Sequence, residues 1–127
     1  MQGVATGVGA AQAATTGRAG NPQRLPALPG SPGHALRRRD FTGSASVFSA
    51  VFRPERSVDT IAPALDRLQL FKIGHSWGGV TSPVMPFFGL RRDPGAPGRN
   101  LVRFNIGQEA PQDLLTDSRQ AFAGLAD

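Results

Sequence analysis

Cysteine is absent from the 127 residues, and Lys72 is the only lysine. The lack of cysteine excludes disulfide frameworks, thiolate metal sites and cysteine nucleophiles. His34 and His75 are the only histidines, which are too few and too isolated to predict a metal site. No stretch approaches the ~20 consecutive apolar residues of a membrane span. Residues 1–20 lack the basic and leucine-rich regions of a signal peptide, so the sequence predicts a cytoplasmic protein with no membrane partner.

The common nucleotide-binding motifs are also missing. There is no Gly-Lys-Ser/Thr phosphate loop. Gly7 and Gly9 lack the preceding strand and the third glycine that a dinucleotide-binding turn needs. Taken without any resemblance, these residues predict only a small α+β domain.

The charge of the chain is basic, with a formal net charge of +5. Only Arg37, Arg38 and Arg39 form a run, and the other arginines are scattered among acidic residues. Scattered charges are typical of a solvated surface, whereas nucleic-acid binding needs clustered cations. We therefore predict no nucleic-acid partner, and a small basic binding module working through this run stays the alternative.

The chain divides into two regions of different composition. Residues 1–24 are rich in Ala, Gly and Thr, have no acidic residue and show no helical or strand period, which predicts a disordered or non-homologous segment. Pro26, Pro29 and Pro32 favour an extended connection. Residues 25–127 are expected to form one domain.

The first half of that domain predicts a strand and a helix. Residues 44–52 alternate, with Phe48, Ala50 and Phe52 on one face. Apolar residues then follow helical spacing from Val58 to Leu68. A helix capped by Ser57 would contain an interior proline at a cost of ~3 kcal/mol, so a later start capped by Thr60, or a frayed start, is favoured.

The second half predicts two further strands and a closing helix. Residues 68–74 read as a strand that enters the glycine-containing turn S-W-G-G, and residues 90–100 as a surface loop. Residues 101–107 alternate as a half-buried strand, with Leu101, Arg103 and Asn105 on one face and Val102, Phe104 and Ile106 on the other. Pro111 opens the last helix at a position where proline is favoured. The order of these elements predicts an α+β fold, a small sheet covered by helices on one face.

Four stretches carry a resemblance to a known family: R-D-F-T-G (39–43), L-F-K-I-G-H-S-W-G-G (70–79), L-V-R-F-N-I-G (101–107) and the D-L-L-T-D-S-R-Q-A-F helix (113–122). Together they resemble the C-terminal domain of the Cys/Met-metabolism pyridoxal-phosphate enzymes, most closely the cystathionine β-lyase branch. The resemblance covers residues 25–127. It implies the mostly antiparallel sheet of that domain in fold-type I enzymes.

The resemblance also implies a substrate site. The family's L-x-R-x-x-I-G arginine grips the substrate α-carboxylate and matches Arg103, while Ser76 and Trp77 match a serine beside that carboxylate and a tryptophan in the pocket wall. An edge ion pair for Arg103 and simple core packing for Trp77 are the alternatives. Lys72 lies outside the family's cofactor-lysine motif, so we expect a surface or strand-edge role for it and no catalytic residue in this chain.

The parent reaction implied by the resemblance is α,β-elimination from a sulfur amino acid such as cystathionine, with pyridoxal 5'-phosphate as cofactor. In the family, the cofactor lysine belongs to a preceding large domain, and the enzyme is a homo-oligomer. We therefore expect a truncated fragment of a lyase of methionine biosynthesis (transsulfuration). By itself, this fragment is expected to bind no cofactor and to be inactive. The alternative is that it complements a separate large domain. Some of Phe48, Phe52, Trp77, Phe87 and Phe88 are expected to be exposed. Asn105, where the family has His, and Ala110, where it has an acidic residue, depart from the pattern.

Overall fold

The computed structural model describes residues 20–21, 26–27, 29, 31–90 and 99–125. Apart from Gly20 and Asn21, the predicted segment 1–24 lies outside the described residues. The helices are α1 (His34–Asp40), α2 (Val58–Asp66) and α3 (Pro111–Phe122), and a 3-10 turn, Ala123–Leu125, follows α3. The strands are β1 (Gly20–Asn21), β2 (Val47–Phe52), β3 (Lys72–Ile73), β4 (Pro83–Leu90) and β5 (Arg99–Asn105).

The five strands form one sheet in the order β1-β2-β5-β4-β3. The long strands β2, β5 and β4 pair in antiparallel fashion, with Ser49, Arg103 and Met85 side by side across the sheet. Only the short β3 is parallel to its neighbour. These pairings confirm the predicted α+β fold with a small, mostly antiparallel sheet.

One face of the sheet carries the core. Phe48, Ala50 and Phe52 of β2 are buried, as their alternation predicts, and Val102 and Phe104 of β5 lie on the same face. Phe104 stacks on Phe48 with ring centroids 5.3 Å apart. Helices α2 and α3 cover this face through the buried residues Ile61, Leu65, Leu114 and Phe122. Arg103 lies on the opposite face of the sheet, which these two helices do not cover, so a binding site can form there.

Helix α2 starts earlier than the sequence predicted. Ser57 is its N-cap residue and Pro63 lies inside it, so the predicted start after Thr60 was wrong. The amide that proline lacks would have bonded to the carbonyl of Asp59, which is exposed and can bond to water. Full burial of Ile61 and Ala64 therefore outweighs the local cost of the proline.

Strand β4 was not predicted, because it contains Pro83 and Pro86 and prolines argue against strands. The carbonyl of Ser82 accepts a hydrogen bond from the amide of Lys72, the first residue of β3, and the carbonyl of Val84 accepts one from the amide of Gly74. Alternate residues of a strand form backbone hydrogen bonds on the same side, so the backbone of Pro86 is directed to the same side as Ser82 and Val84. That position lies beyond the end of β3, and the missing amide of Pro86 therefore interrupts no pairing among the described strands. The predicted loop 90–100 is strand at both ends, and residues 91–98 lie outside the described residues.

Helix α1 was also missed, because it has no apolar stripe and no buried residue. Its end is held by the side chain of Arg37, whose Nε and Nη2 donate to the carbonyl of Gly43. The predicted start of α3 at Pro111 is confirmed, and Ala110 caps it without a side-chain hydrogen bond.

The expectation about exposed aromatics is only partly met. Phe48 and Phe52 are 3% exposed because they belong to the helix-covered face. Phe87 and Phe88 are half-buried. Of these five residues, only Trp77, at 69%, is exposed.

Candidate carboxylate-binding site

The site is built on the face of β5 that points away from the helices. Because side chains alternate along a strand, the burial of Val102 and Phe104 turns Arg103 to the other face. There it lies between Ser49 of β2 and Met85 of β4. The neighbouring strands therefore fix where its long side chain begins.

The guanidinium of Arg103 is held by two contacts. Its Nη2 donates to the carbonyl oxygen of His75 at 2.6 Å, and its Cζ lies 5.7 Å from the centre of the Phe87 ring. The ring is a diagonal neighbour on β4, and an arginine over an aromatic face is attracted by the ring quadrupole. These contacts bring a positive charge to the residue directly before Ser76.

The segment from Gly74 to Gly79 forms the loop above Arg103. Ser76 and Trp77 are both exposed, so Trp77 is not a core residue. Gly78 has φ of +81°, a left-handed conformation that glycine adopts without strain. The structure thus brings Arg103 to the start of the loop that carries Ser76 and Trp77, and their role in substrate binding stays a prediction.

The sequence did not identify Asn105 as part of this arrangement. It is 1% exposed, and its Oδ1 accepts hydrogen bonds from the amide of Gly78 and from the hydroxyl of Ser46, both at 3.2 Å. Its Nδ2 is buried and has no partner within the described part of the chain. The signal in the sequence was that Asn105, two positions after Arg103, stands where the resembled family has His.

A carboxylate fixes the end of the loop. Glu109 accepts hydrogen bonds from the amide and the hydroxyl of Ser82, both at 2.8 Å. The same hydroxyl oxygen accepts from the amide of Gly107 at 2.9 Å. A Cβ on Gly107 would lie 2.6 Å from the carbonyl carbon of Thr81, so the backbones approach closely here and only glycine fits.

A second carboxylate fixes the chain before the loop. Asp117 of α3 accepts hydrogen bonds from the successive amides of Gln69, Leu70 and Phe71, at 2.8, 2.8 and 3.3 Å, and from the side chain of Gln120. Burial by itself raises the pKa of Asp117, but these donors together outweigh it and leave the pKa below its ordinary value. The loop is thereby anchored to the helix layer as well as to the sheet.

Lys72 lies exposed on the strand at one edge of the sheet. An amine that forms an imine with pyridoxal phosphate must face the cofactor in an enclosed site. Lys72 is exposed on the short β3, and its Nζ donates to the carbonyl of Gln69 at 2.6 Å. The structure thus has Lys72 at the strand edge, as expected from the sequence.

Two further properties concern the described residues alone. No group of three or more His, Asp or Glu there could hold a metal ion. None of the described helices is both long enough and apolar enough to cross a membrane.

Comparisons with known proteins extend over most of the chain. Residues 23–123 match the family described as Cys/Met metabolism PLP-dependent enzyme. The cystathionine beta-lyase of Salmonella typhimurium is 38% identical over 106 residues, which are 79% of this chain and 27% of that lyase. The L-alanine/L-glutamate racemase of Wolbachia pipientis wMel is 34% identical over 106 residues, 79% of this chain and 26% of the racemase.

The fold has solved counterparts in the same group of proteins. The crystal structure of a cystathionine gamma lyase (CalE6) from Micromonospora echinospora superposes with a TM-score of 0.73 and 28% identity, covering 97% of this chain and 34% of that one. The chain thus spans only about a quarter to a third of the relatives that it matches. The resemblance carried by its four motifs is confirmed, and the chain belongs to the Cys/Met-metabolism PLP-dependent enzyme family.

Proposed function

We propose that this chain provides the substrate-carboxylate site of a pyridoxal-phosphate-dependent lyase of the cystathionine β-lyase type and is inactive by itself. The observation that carries the proposal is the position of Arg103, whose guanidinium reaches His75 at the start of the Ser76–Trp77 loop. A guanidinium can bind a carboxylate through two parallel hydrogen bonds and so fix the orientation of an amino acid. Ser76 and Trp77 would line the same pocket.

The substrate class is better supported than the reaction. The names of the two relatives specify a lyase of cystathionine and a racemase of alanine and glutamate. Their reactions differ, but cystathionine, alanine and glutamate are all amino acids with an α-carboxylate. A carboxylate-binding arginine can serve both reactions, and we assign α,β-elimination of a sulfur amino acid because the lyase is the more similar of the two.

The electron-withdrawing cofactor and its lysine would come from outside these 127 residues, since the exposed Lys72 bonds to its own turn. This chain would then bind and orient the carboxylate without moving a proton. We place the complete enzyme in the cytoplasm as a homo-oligomer in methionine biosynthesis.

The carboxylate site can be tested by NMR titration. L-methionine should shift the signals of Arg103, Ser76 and Trp77 in a saturable way, whereas 3-(methylthio)propylamine, which lacks only the carboxylate, should not. Arg103→Ala should abolish the response, and Arg103→Lys should keep the charge but weaken binding because lysine is not bidentate. Equal responses to both compounds, or an unchanged response in Arg103→Ala, would refute the site.

The absence of activity needs a separate experiment. After incubation with pyridoxal phosphate and reduction with borohydride, we expect no stoichiometric adduct on Lys72 and no cleavage of cystathionine by the isolated chain. The matched control is Lys72→Arg, which removes the amine and keeps the charge. A stoichiometric adduct that disappears in this variant would show that the chain carries its own cofactor lysine.

A second candidate function is complementation of a separate large domain. Ile73, Trp77 and Val80 are 58%, 69% and 65% exposed and lie in one short segment next to Arg103. An apolar segment beside a charged site is suited to contact with another polypeptide. Co-expression with a family lyase that lacks the region matching residues 23–123 should restore cystathionine cleavage, and Arg103→Ala should prevent it; no restored activity would reject complementation.

A further inference from the structure

Asn105 is a buried amide whose oxygen accepts two hydrogen bonds and whose nitrogen has no partner in the part of the chain that the structure describes. The residue ends β5 and is 1% exposed. Ser46 and Gly78 donate to its Oδ1. A flipped amide would place the NH2 group against the N–H of Gly78, donor against donor, so the backbone amide fixes this orientation.

The unpartnered nitrogen has an energetic consequence. A buried donor without an acceptor destabilises the fold, and Nδ2 of Asn105 has no acceptor among the described residues. The amide is therefore a poor choice for stability alone. The side chain of Asn105 does supply a hydrogen-bond acceptor for the amide of Gly78. An apolar side chain could not supply one.

Arg103 and Asn105 hold the two ends of one loop segment. Side chains two positions apart on a strand lie on the same face, about 6–7 Å from each other along the strand. Arg103 donates to the carbonyl of His75, and Asn105 accepts from the amide of Gly78. Ser76 and Trp77 lie between these two anchored residues, so moving one anchor changes where the other can bond.

We propose that Asn105 is a positioning residue for the carboxylate site, acting through the Gly78 amide. It keeps the His75–Gly78 segment against β5, so that the His75 carbonyl stays within reach of Arg103 and the guanidinium is oriented before a ligand arrives. This inference deepens the proposed function and rests on it where ligand binding is concerned. The positioning of Arg103 can be measured without any ligand.

The test compares variants that keep or remove the acceptor. Asn105→Asp keeps an oxygen for both donors, whereas Asn105→Ala removes it and Asn105→Ser shortens it out of reach of Gly78. Ser46→Ala is the matched control, because it removes the other donor to the same oxygen and leaves the Gly78 bond in place. The readouts are the NMR signal of Arg103 Nε–H, the backbone order parameters of the segment, and the fluorescence anisotropy of Trp77, the only tryptophan.

In Asn105→Ala and Asn105→Ser, we expect the order parameters of Ser76 and Trp77 to fall from about 0.85 to below about 0.6, the Trp77 anisotropy to fall and the Arg103 signal to shift. Methionine binding should weaken about tenfold. Asn105→Asp and Ser46→Ala should keep the loop ordered and the Arg103 signal in place.

Three outcomes would overturn the inference. The first is an unchanged Arg103 signal in folded Asn105→Ala, and the second is the same loop release in Ser46→Ala. The third is loss of the fold in both the Ala and the Ser variants, which would give Asn105 a structural role only. If the loop and Arg103 respond as expected but methionine binds to none of the proteins, the positioning stands and the proposed carboxylate site fails.

Discussion

Among the acidic residues of the described structure, Asp117 is the one whose replacement should lower the free energy of unfolding most. Its two carboxylate oxygens accept three backbone amides and one side-chain amide. Hydrogen bonds to a charged group contribute about 1.5–3 kcal/mol each and are not additive. We therefore expect Asp117→Ala to lower the free energy of unfolding by about 3–5 kcal/mol, which is much of the stability of a small domain.

Asp117→Asn should cost less, about 1.5–3 kcal/mol. Its remaining oxygen can still accept from Leu70 and Phe71, and the side chain of Gln120 can turn its own oxygen toward the new NH2 group. The amide of Gln69 then loses its partner, but Gln69 is exposed and can bond to water. The negative charge is lost in either case.

The pH dependence gives this prediction a distinct signature. The folded pKa of Asp117 is below its ordinary value of 3.8, so the charged carboxylate adds stability above pH 3.8 and the contribution is lost as pH falls from there toward the folded pKa. The difference between the native chain and Asp117→Asn should be full at about pH 7 and shrink at about pH 3.

Urea denaturation followed by circular dichroism measures these differences. The control is Asp113→Asn on the exposed first turn of α3, where loss of the charge at the helix N-terminus should cost about 0.3–1 kcal/mol. If Asp117→Asn is no more destabilising than this control, or if its deficit is the same at both pH values, the assigned role of the carboxylate is wrong.

Three further predictions concern other parts of the chain. Gly107→Ala should destabilise the fold by about 1–3 kcal/mol through overpacking against Thr81, whereas Gly43→Ala, with open space around it, should be near neutral in the same urea assay. Phe104→Ala should cost about 3–5 kcal/mol because it removes a fully buried ring, and an unchanged melting temperature would contradict the packing of the core. Any nucleic-acid binding should be weak and lost by about 200 mM salt; sequence-selective binding above that salt, removed by changing residues 37–39 to Ala, would favour a basic binding module.

The strands with an uninterrupted alternation were predictable because one face of each is buried. The pattern from Val47 to Phe52 and the pattern around Arg103 each identified which residues face the core. Strand β4 escaped this reasoning, since Pro86 is tolerated because of where β3 ends and Pro83 is the first residue of the strand. The start of α2 escaped it for a similar reason, because burial of Ile61 compensates for Pro63.

The sequence alone was sufficient for the family, the α+β fold and the face on which Arg103 lies, since motifs and alternation are properties of neighbouring residues. Only the tertiary structure decided which distant polar groups meet. Asp117 bonds to amides 46–48 positions away, and Asn105 bonds to Gly78 across 27 positions. No local pattern encodes such pairs, because a buried donor or acceptor takes whichever partner the packing of the sheet and helices brings within about 3 Å.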